Sequence, residues 1–325
     1  MPRPAASIDH GGRGRASISA HAAVRVDPTD DGGIRVSELR SQVPLVLRRT
    51  GTTDRHGSHN DPQRMRRPTV TVHLVNAAAG PLAGDRLRLD IAVGTGVCLR
   101  LRTVAATVAL PGFGGRGDHG EGNCRGDNQS DDRWHDHGDD TDRSSLFDVH
   151  ADVGPGAALV YLPEPTVAAR GCRHRMRASI RLASTACLLW REEIVLGRFG
   201  EPAGSISTAL RVDVSDQEHN QEHNQKQDRD QGHDRTWRPL LRQELTLGPT
   251  MPGLDGPAVL GTARVAGSLL IAGPGPAGLA TGAAVTDTFA LLPLAGPGVL
   301  ISALASDAVT LRQALEAGRA MVARW

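Results

Sequence analysis

Histidines and carboxylates are interleaved in two polar inserts of the sequence, residues 114–145 and 215–236. These inserts hold six of the thirteen histidines: His119, His135, His137, His219, His223 and His233. Imidazole and carboxylate groups bind Ni²⁺ and Zn²⁺, and His219-Asn-Gln-Glu-His223 matches the HxxEH pattern of zinc peptidases, whose two histidines share one helical face. Neither insert has the apolar periodicity that would dock a helix. The residues therefore favour solvated low-complexity tracts with weak metal binding over a defined zinc site.

Patterns that could bind a nucleotide fail on their context. Gly273-Pro-Gly-Pro-Ala-Gly278 matches GxGxxG, but Pro276 removes an amide from the phosphate cradle, and no acid follows about 20 residues later. A plain turn is the favoured interpretation. The only lysine, Lys226, lies in the second polar insert, which excludes a P-loop and a Schiff-base enzyme.

The other reactive residues do not form an enzyme signature. Cys172 and His174 are one residue apart, and a structural role is favoured for them over metal ligation. Glu192 and Glu193 are adjacent in a predicted strand, so they point to opposite faces and cannot form a two-carboxylate dyad with each other. The sequence also lacks a GxSxG nucleophile elbow. We therefore expect a protein that is not an enzyme.

The elements that must position these residues are predicted to be mainly strands. The 325 residues include 38 Gly and 20 Pro, and only 3% are aromatic, so turns are frequent and the core consists of Val, Leu, Ile and Ala. Alternating segments such as ISAHAAVRV, TVTVHLVN and RLRLDIAV predict strands, separated by turns at Asp27–Gly33 and Gly80–Asp85. Residues 50–67 are predicted to be a loop. The segment DAVTLRQALEAGRAMVARW predicts a C-terminal helix capped by Ser306 or Asp307.

Charge and hydropathy limit the partners and the location. The chain has a net charge of +1, but the two inserts carry −5 and −3 by count of their residues, so the rest of the chain is basic. A basic body favours acidic protein partners. No Lys/Arg run is interleaved with aromatics, which argues against nucleic acid. No segment has the roughly 18–20 continuous apolar residues of a membrane span, and we expect a cytoplasmic protein without membrane contact.

A weak internal repeat predicts how the strands are arranged. Val93-Gly-Thr-Gly-Val-Cys-Leu-Arg-Leu resembles Val153-Gly-Pro-Gly-Ala-Ala-Leu-Val-Tyr and, more loosely, Leu182-Ala-Ser-Thr-Ala-Cys-Leu-Leu-Trp. The spacings are 60 and 29 residues, and they become nearly equal when the first insert is removed. A unit of this size cannot cover its own apolar face, so we expect stacked layers. Chance similarity between β-hairpins is the alternative.

These observations predict a mainly β protein, a layered β-helix-like or solenoid-like scaffold with a C-terminal helix. Residues 1–17 are expected to be a disordered N-terminus, and residues 18–325 to form a single domain. The inserts 114–145 and 215–236 are predicted to be disordered, because they cannot bury enough apolar surface to offset the entropy of ordering.

Several stretches, in chain order, resemble the urease accessory protein family UreD (UreH). Ala83-Gly84-Asp85 stands where the family has Gly-Gly-Asp, and an Ala-Ala-Thr motif closes the next strand pair at Thr107. The sequence departs from the family at Val108 and Leu110, where a lysine and an aromatic residue are common, and in the two polar inserts. The stretches that carry the resemblance are Asn76–Leu87, Val93–Thr107, Val153–Arg175, Leu188–Arg198, Leu240–Leu247 and Gly261–Ile271.

The resemblance implies a non-enzymatic β-helical scaffold for urease maturation. Members of the family bind UreF and the GTPase UreG on the urease apoenzyme, and nickel released from UreG is thought to pass through an internal passage of UreD to the dinuclear urease active site. The resemblance thus implies three partners, urease apoenzyme, UreF and UreG, and it allows a dimeric assembly through UreF. It implies no tightly bound cofactor, only nickel in transit.

Polar groups within apolar strands are the candidates to line such a passage. Carboxylate, hydroxyl and imidazole groups can replace the waters around a passing Ni²⁺ without trapping it. A structural alternative stays open for several of them: Asp85 as a turn residue, Thr103 and Thr107 as partners of the local backbone. For Glu192 the alternative is a solvated position. The candidates are Asp85, Thr103, Thr107, Glu164, His174, Glu192 and Glu193.

Two competing functions stay open on the sequence alone. The first is a stand-alone nickel- or zinc-binding protein that acts through its His/Asp-rich inserts. The second is a hydrolase on a β-solenoid, which needs carboxylates clustered on one face of successive layers, a cluster that the sequence does not reveal.

Overall fold

The computed structural model describes residues 17–53, 67–112, 144–215, 236–274 and 282–322. Within these ranges the chain forms eighteen strands and one helix. They are β1 Ser19–Pro28, β2 Ile34–Arg40, β3 Leu45–Thr53, β4 Thr69–Asn76, β5 Arg86–Val93, β6 Cys98–Thr103, β7 Thr107–Ala109, β8 Ser145–Val153, β9 Ala158–Leu162, β10 Thr166–Ala168, β11 Arg173–Leu182, β12 Cys187–Leu196, β13 Ser205–Ser215, β14 Trp237–Leu247, β15 Val265–Ala272, β16 Ala284–Val285, β17 Phe289–Pro293, β18 Gly298–Ala305 and α1 Ala308–Met321.

The strands form two sheets, and the chain passes between them repeatedly. Sheet A has the order β14-β13-β11-β8-β5-β1-β2, and sheet B has the order β16-β17-β18-β15-β12-β9-β6-β4-β3, with β10 attached to β12 and β7 attached to β10. From β4 to β13 the longer strands alternate between the sheets, and each pairs in parallel with the strand of the preceding layer. Antiparallel strands flank the parallel ones in both sheets. Over the described residues the sheets stay open, so the fold is a layered solenoid rather than a barrel.

The register of the sheets confirms the internal repeat. Val93 lies opposite Val153, which lies opposite Leu182. One turn later, Cys98 lies opposite Ala158, which lies opposite Cys187. The three sequence units therefore occupy equivalent places in three successive layers, and their spacings of 60 and 29 residues differ only in the connections.

The main core lies between the inner faces of the two sheets. Aliphatic side chains stack in register from layer to layer, for example Leu99, Leu159 and Leu188, each fully buried. The aromatic rings of Tyr161 and Trp190 stack at a centroid distance of 4.1 Å. Burial of such ladders is the main driving force for this fold, because each layer covers the apolar edge of the next.

Helix α1 forms a third layer on the outer face of sheet B. Asp307 is its N-cap and accepts hydrogen bonds from the N–H groups of Val309 and Thr310, as predicted. The helix buries Leu311, Ala314, Leu315 and Gly318 against β15, β17 and β18. Gly318 is required for this approach, because a Cβ atom there would lie 2.7 Å from Cγ2 of Ile301. Across the described ranges, no helix combines the length and the apolar character needed to cross a membrane.

Most sequence predictions of the fold are confirmed, with corrections at three boundaries. The protein is mainly β and layered, with a C-terminal helix. The loop predicted at 50–67 begins later, because β3 runs to Thr53. The first insert ends before Ser145, which starts β8 and is buried, and Ser215 belongs to β13. The rest of both inserts, the N-terminal residues 1–16 and most of the Gly273–Gly278 motif lie outside the described residues.

Candidate functional site

A cavity of about 380 Å³ lies between the two sheets. Sheet B contributes residues at the C-terminal ends of its parallel strands, and sheet A contributes residues at the N-terminal ends of its strands. This follows from the solenoid path, in which the chain crosses from one sheet to the other in each layer. The exposed lining residues Ala79 and Val104–Ala106 mark the mouth of the cavity. Deeper lining residues are Leu74, Leu87, Phe147, Tyr161 and Met176.

A second, much smaller cavity of about 20 Å³ adjoins the first. This volume accommodates a single water-sized group. The two cavities have in common six lining residues, and the second extends towards Trp190 on the inner face of β12. The shared residues are Phe147, Tyr161, Pro163, Glu164, Thr166 and Met176.

Six of the seven polar residues singled out in the sequence line these two cavities. Thr103, Thr107, Glu164 and His174 line the first, and Glu164 lines the second together with Glu192 and Glu193. Asp85 lines neither, although its neighbours Gly80 and Pro81 line the first. The fold therefore brings together residues that are up to 90 positions apart in the sequence.

Asp85 has a structural position next to the mouth. Its carboxylate is buried, and its two oxygens accept the backbone N–H groups of Ile18 and Leu82 at 2.8 and 2.9 Å. Gly80 in this loop has φ +127°, a conformation that side-chain-bearing residues rarely adopt. Asp85 thereby fixes the loop that borders the cavity.

Thr103 and Glu164 connect two layers at the cavity wall. The Thr103 hydroxyl oxygen accepts the backbone N–H of Glu164 at 2.7 Å. This partner is 61 residues away in the sequence. The structural alternative, in which Thr103 bonds to its local backbone, is therefore wrong. The Glu164 side chain is 36% exposed, and its Oε2 accepts Nη2 of Arg312 at 2.6 Å.

Among the described residues, His174 is the one imidazole that lines the cavity. It is buried, and its Nδ1 lies 2.8 Å from the hydroxyl of Ser145, which faces it from the neighbouring strand. Burial lowers the pKa of His174 to about 4, against a smaller opposing effect of a hydrogen bond to the Ser145 backbone. The imidazole is therefore neutral near pH 7, which is the form that ligates metal ions.

We expect His174 to make the stability of the protein pH-dependent. Its folded pKa of about 4 lies below the unfolded value of 6.5, so the stabilisation is complete above pH 6.5 and is lost as pH falls towards 4. Between pH 7 and pH 5 the wild type should lose about 2 kcal/mol of unfolding free energy through this residue. Urea denaturation at both pH values should show this loss, and His174→Asn should remove it.

The control for this prediction is His150→Gln, since the side chain of His150 on sheet A is 39% exposed. That variant should keep the pH-dependence of the wild type. An equal pH-dependence in His174→Asn and wild type would contradict the prediction.

Glu192 points into the core between the sheets. It is only 9% exposed, so the solvated position considered from the sequence is wrong. Its Oε1 accepts the indole N–H of Trp190 at 3.0 Å. Burial raises the pKa of Glu192, and the Trp190 hydrogen bond opposes this only in part.

Glu193 points to the opposite face of β12, as predicted for adjacent strand residues. Its side chain is fully buried under α1, and its carboxylate accepts hydrogen bonds from Nε and Nη2 of Arg312 at 2.9–3.1 Å. The Nε of Arg191 lies 3.2 Å from Glu193 Oε1. Arg312 thus links the buried carboxylate to Glu164 at the cavity wall.

Three residues at the site were missed in the sequence. Ser145 had been assigned to a polar insert, yet it is buried against His174. Thr166 is buried and lines both cavities. Its position directly after the segment Leu162-Pro-Glu-Pro165 is the feature of the sequence that could have indicated it. Arg312 has no comparable signal, because its partners are 119 and 148 residues away.

The described residues do not form a compact metal centre. Among them, no group of three His, Cys, Asp or Glu side chains is close enough to hold a metal ion. Cys172, which precedes His174, lies in a separate apolar cluster with Ile194, Leu196 and Ile206. Burial raises its pKa to about 11, so the thiol is protonated near pH 7 and is not in its metal-ligating form.

The fold defines a layered two-sheet scaffold with two adjoining cavities between its sheets. A family model described as UreD urease accessory protein matches residues 19–325. The urease accessory protein UreD of Frankia alni is 50% identical over 94% of this chain and 93% of its own length. UreD of Frankia casuarinae is 49% identical over 94% of this chain and 90% of its own length. UreD 3 of Streptomyces griseus is 38% identical, with coverage of 92% and 95%. The chain belongs to the UreD urease accessory protein family.

Proposed function

We propose that this protein is a non-enzymatic scaffold that passes nickel through the cavity between its sheets during urease maturation. The family and the names of its relatives support a role in urease maturation. The observation that carries the proposal of a passage is that six polar residues chosen from the sequence border two adjoining cavities. Of these, Glu193 directs its carboxylate to the opposite face of β12, towards Arg312. The six residues lie otherwise among buried apolar side chains.

The chemistry of the lining suits transit of a divalent cation. The lining would offer nickel the hydroxyls of Thr103 and Thr107, the carboxylate of Glu164 and the neutral imidazole of His174. Imidazole and carboxylate donors both ligate Ni²⁺. A set of single, separated donors exchanges an ion more readily than a preformed cage does.

The second cavity continues this path towards β12. Glu192 offers a carboxylate in a low-dielectric surrounding, where attraction to a cation is stronger than in water. Burial raises the pKa of its carboxyl, so an arriving cation would compete with a proton for the carboxylate oxygens. Glu192 is therefore the residue that we expect to respond most to a passing ion.

The proposed partners are the urease apoenzyme, UreF and UreG, with assembly of two copies through UreF. No tightly bound cofactor is needed for this role, because nickel is the cargo. The proposed location is the cytoplasm, where these partners would be made.

The test is co-expression of the cognate urease and its other accessory proteins with and without this chain. We expect nickel content and urea hydrolysis of the purified urease to depend on the chain. Glu192→Gln keeps the volume of the side chain and an acceptor for Trp190, but removes the charge. It should lower the nickel content several-fold while the protein stays folded and bound to its partners.

Glu244→Gln is the matched control, because the Glu244 side chain on β14 is 60% exposed and lies outside both cavities. It should load nickel as the wild type does. Urease that is loaded equally with and without the chain would refute the proposed function. Full loading with Glu192→Gln would remove Glu192 from the path while leaving the scaffold role intact.

A further inference from the structure

The ionisable residues on one half of the outer face of sheet B are all basic. The strands β3, β4, β6 and β9 contain Arg48, Arg49, His73, Arg100 and Arg102, and not one Asp or Glu. Helix α1 covers the other half of this sheet, over β15, β17 and β18. Arg48, Arg100 and Arg102 are exposed, and no carboxylate of the described residues pairs with them.

Three of these basic residues lie in line across the sheet. Arg48 lies opposite His73 on β4, and His73 lies opposite Arg102 on β6. The two arginines are two strand spacings apart, about 10 Å, and Arg100 is on the same face of β6. We call Arg48, His73, Arg100 and Arg102 the basic row. No ion pair with a described carboxylate offsets the repulsion among the three arginines, so local stability does not explain this arrangement.

The outer face of sheet A shows that the fold does not require such an arrangement. There, acids and bases are interleaved and pair with each other: Arg88 with Asp90, His150 with Asp148, and Arg242 with Asp213. On sheet A, basic side chains of the outer face are therefore paired with acidic ones, whereas on sheet B the arginines of the outer face have no such partner among the described residues.

The basic row lies beside the mouth of the cavity. Arg102 is followed by Thr103 and Val104, which line the cavity at its mouth, and His73 is followed by the lining residues Leu74–Asn76. A cation approaching the mouth of the free protein would be repelled by these arginines. The repulsion disappears when a negatively charged surface covers them.

We propose that the basic row is the docking surface for a carboxylate-rich face of a protein partner, and that this docking makes the cavity mouth accessible to a cation. The second part rests on the proposed function, whereas the docking itself does not. Charge complementarity identifies the partner as acidic. Beside the row, β9 presents Val160 and Leu162, and its one aromatic residue, Tyr161, faces the core. The absence of an outward-facing aromatic side chain among these described residues disfavours the stacking that single-stranded nucleic acids require.

Association kinetics test the docking. The full-length wild type and Arg48→Gln/Arg102→Gln would be immobilised and exposed separately to purified cognate apo-urease, to UreF with UreG, and to a DNA duplex. At about 0.05 M salt we expect the double variant to associate about fivefold more slowly with one of the two protein probes, with little change in the dissociation rate. At about 1 M salt, where the screening length is about 3 Å, the difference should vanish.

Arg25→Gln/Arg35→Gln is the matched control, since it removes the same charge from exposed positions of β1 and β2 in sheet A. It should associate as the wild type does. Equal association of both double variants with both protein probes would overturn the proposal, as would a salt-sensitive loss seen only with the duplex. Because no nickel is measured here, a failure of nickel transfer would leave this result standing, and the reverse holds too.

Discussion

Arg312→Ala is expected to lower the unfolding free energy by about 3 kcal/mol, measured by urea denaturation at pH 7. The substitution leaves the carboxylate of Glu193 fully buried without its main partner, and an uncompensated buried charge typically costs about 3–5 kcal/mol. The lower end of this range applies because Nε of Arg191 remains 3.2 Å away. Helix α1 would also lose its ionic contact with β12 and with Glu164.

Two further variants test whether the buried charge of Glu193 causes the loss of stability in Arg312→Ala. Arg319→Ala removes an arginine of the same helix whose one ion pair among the described residues is with the exposed Glu316, and it should cost at most about 0.5 kcal/mol. Adding Glu193→Gln to Arg312→Ala removes the stranded charge and should recover most of the lost stability. A double variant as unstable as Arg312→Ala alone would contradict the assignment to Glu193.

Thr107→Trp is expected to lower the nickel content of co-expressed urease by more than about tenfold. Thr107 lines the 380 Å³ cavity near its mouth, and an indole projecting from this position fills space that the proposed path requires. Because the cavity is empty of protein atoms, the larger side chain should not need to displace the core. The measurements are nickel per urease active site and urea hydrolysis of the purified enzyme.

Thr107→Val is the control for the plug, because it keeps the shape of threonine and removes only the hydroxyl. We expect it to reduce nickel loading far less than tryptophan does. Unfolding curves and partner binding of both variants should match the wild type. A correctly folded, partner-bound Thr107→Trp that loads urease normally would show that nickel does not travel through this cavity.

The layered fold was largely predictable because its signals are local and repeated. Strands alternate with a period of two, glycine turns separate them, and the three similar units at Val93, Val153 and Leu182 anticipated the register of both sheets. The polar residues of the site were also visible, because a hydroxyl, imidazole or carboxylate stands out within an apolar strand. Asp307 as the N-cap of α1 is predictable because an aspartate directly before a helical segment is a local signal.

The sequence could not reveal which of these polar groups meet, because their contacts join different layers. The link between Arg312 and Glu193 joins the last helix to a strand 119 residues earlier. Ser145 was misassigned because it follows a long polar segment directly, and only its contact with His174 explains its burial. The inward position of Glu192 depends on sheet A covering one face of β12 and α1 the other, which the sequence of β12 does not encode.

The equivalence of layers separated by 60 and 29 residues has a practical consequence. Gly96 and Gly156 lie in equivalent turns and have nearly the same positive φ, 70° and 62°. The strands that follow these turns, β6 and β9, are paired in register. This holds although the connection from β7 to β8 is far longer than the equivalent connection from β10 to β11. The length of the connection from β7 to β8 therefore does not alter the register of the strands in the sheets. We expect that an affinity tag or fluorophore placed between β7 and β8 would leave the register of the sheets unchanged, without touching either terminus.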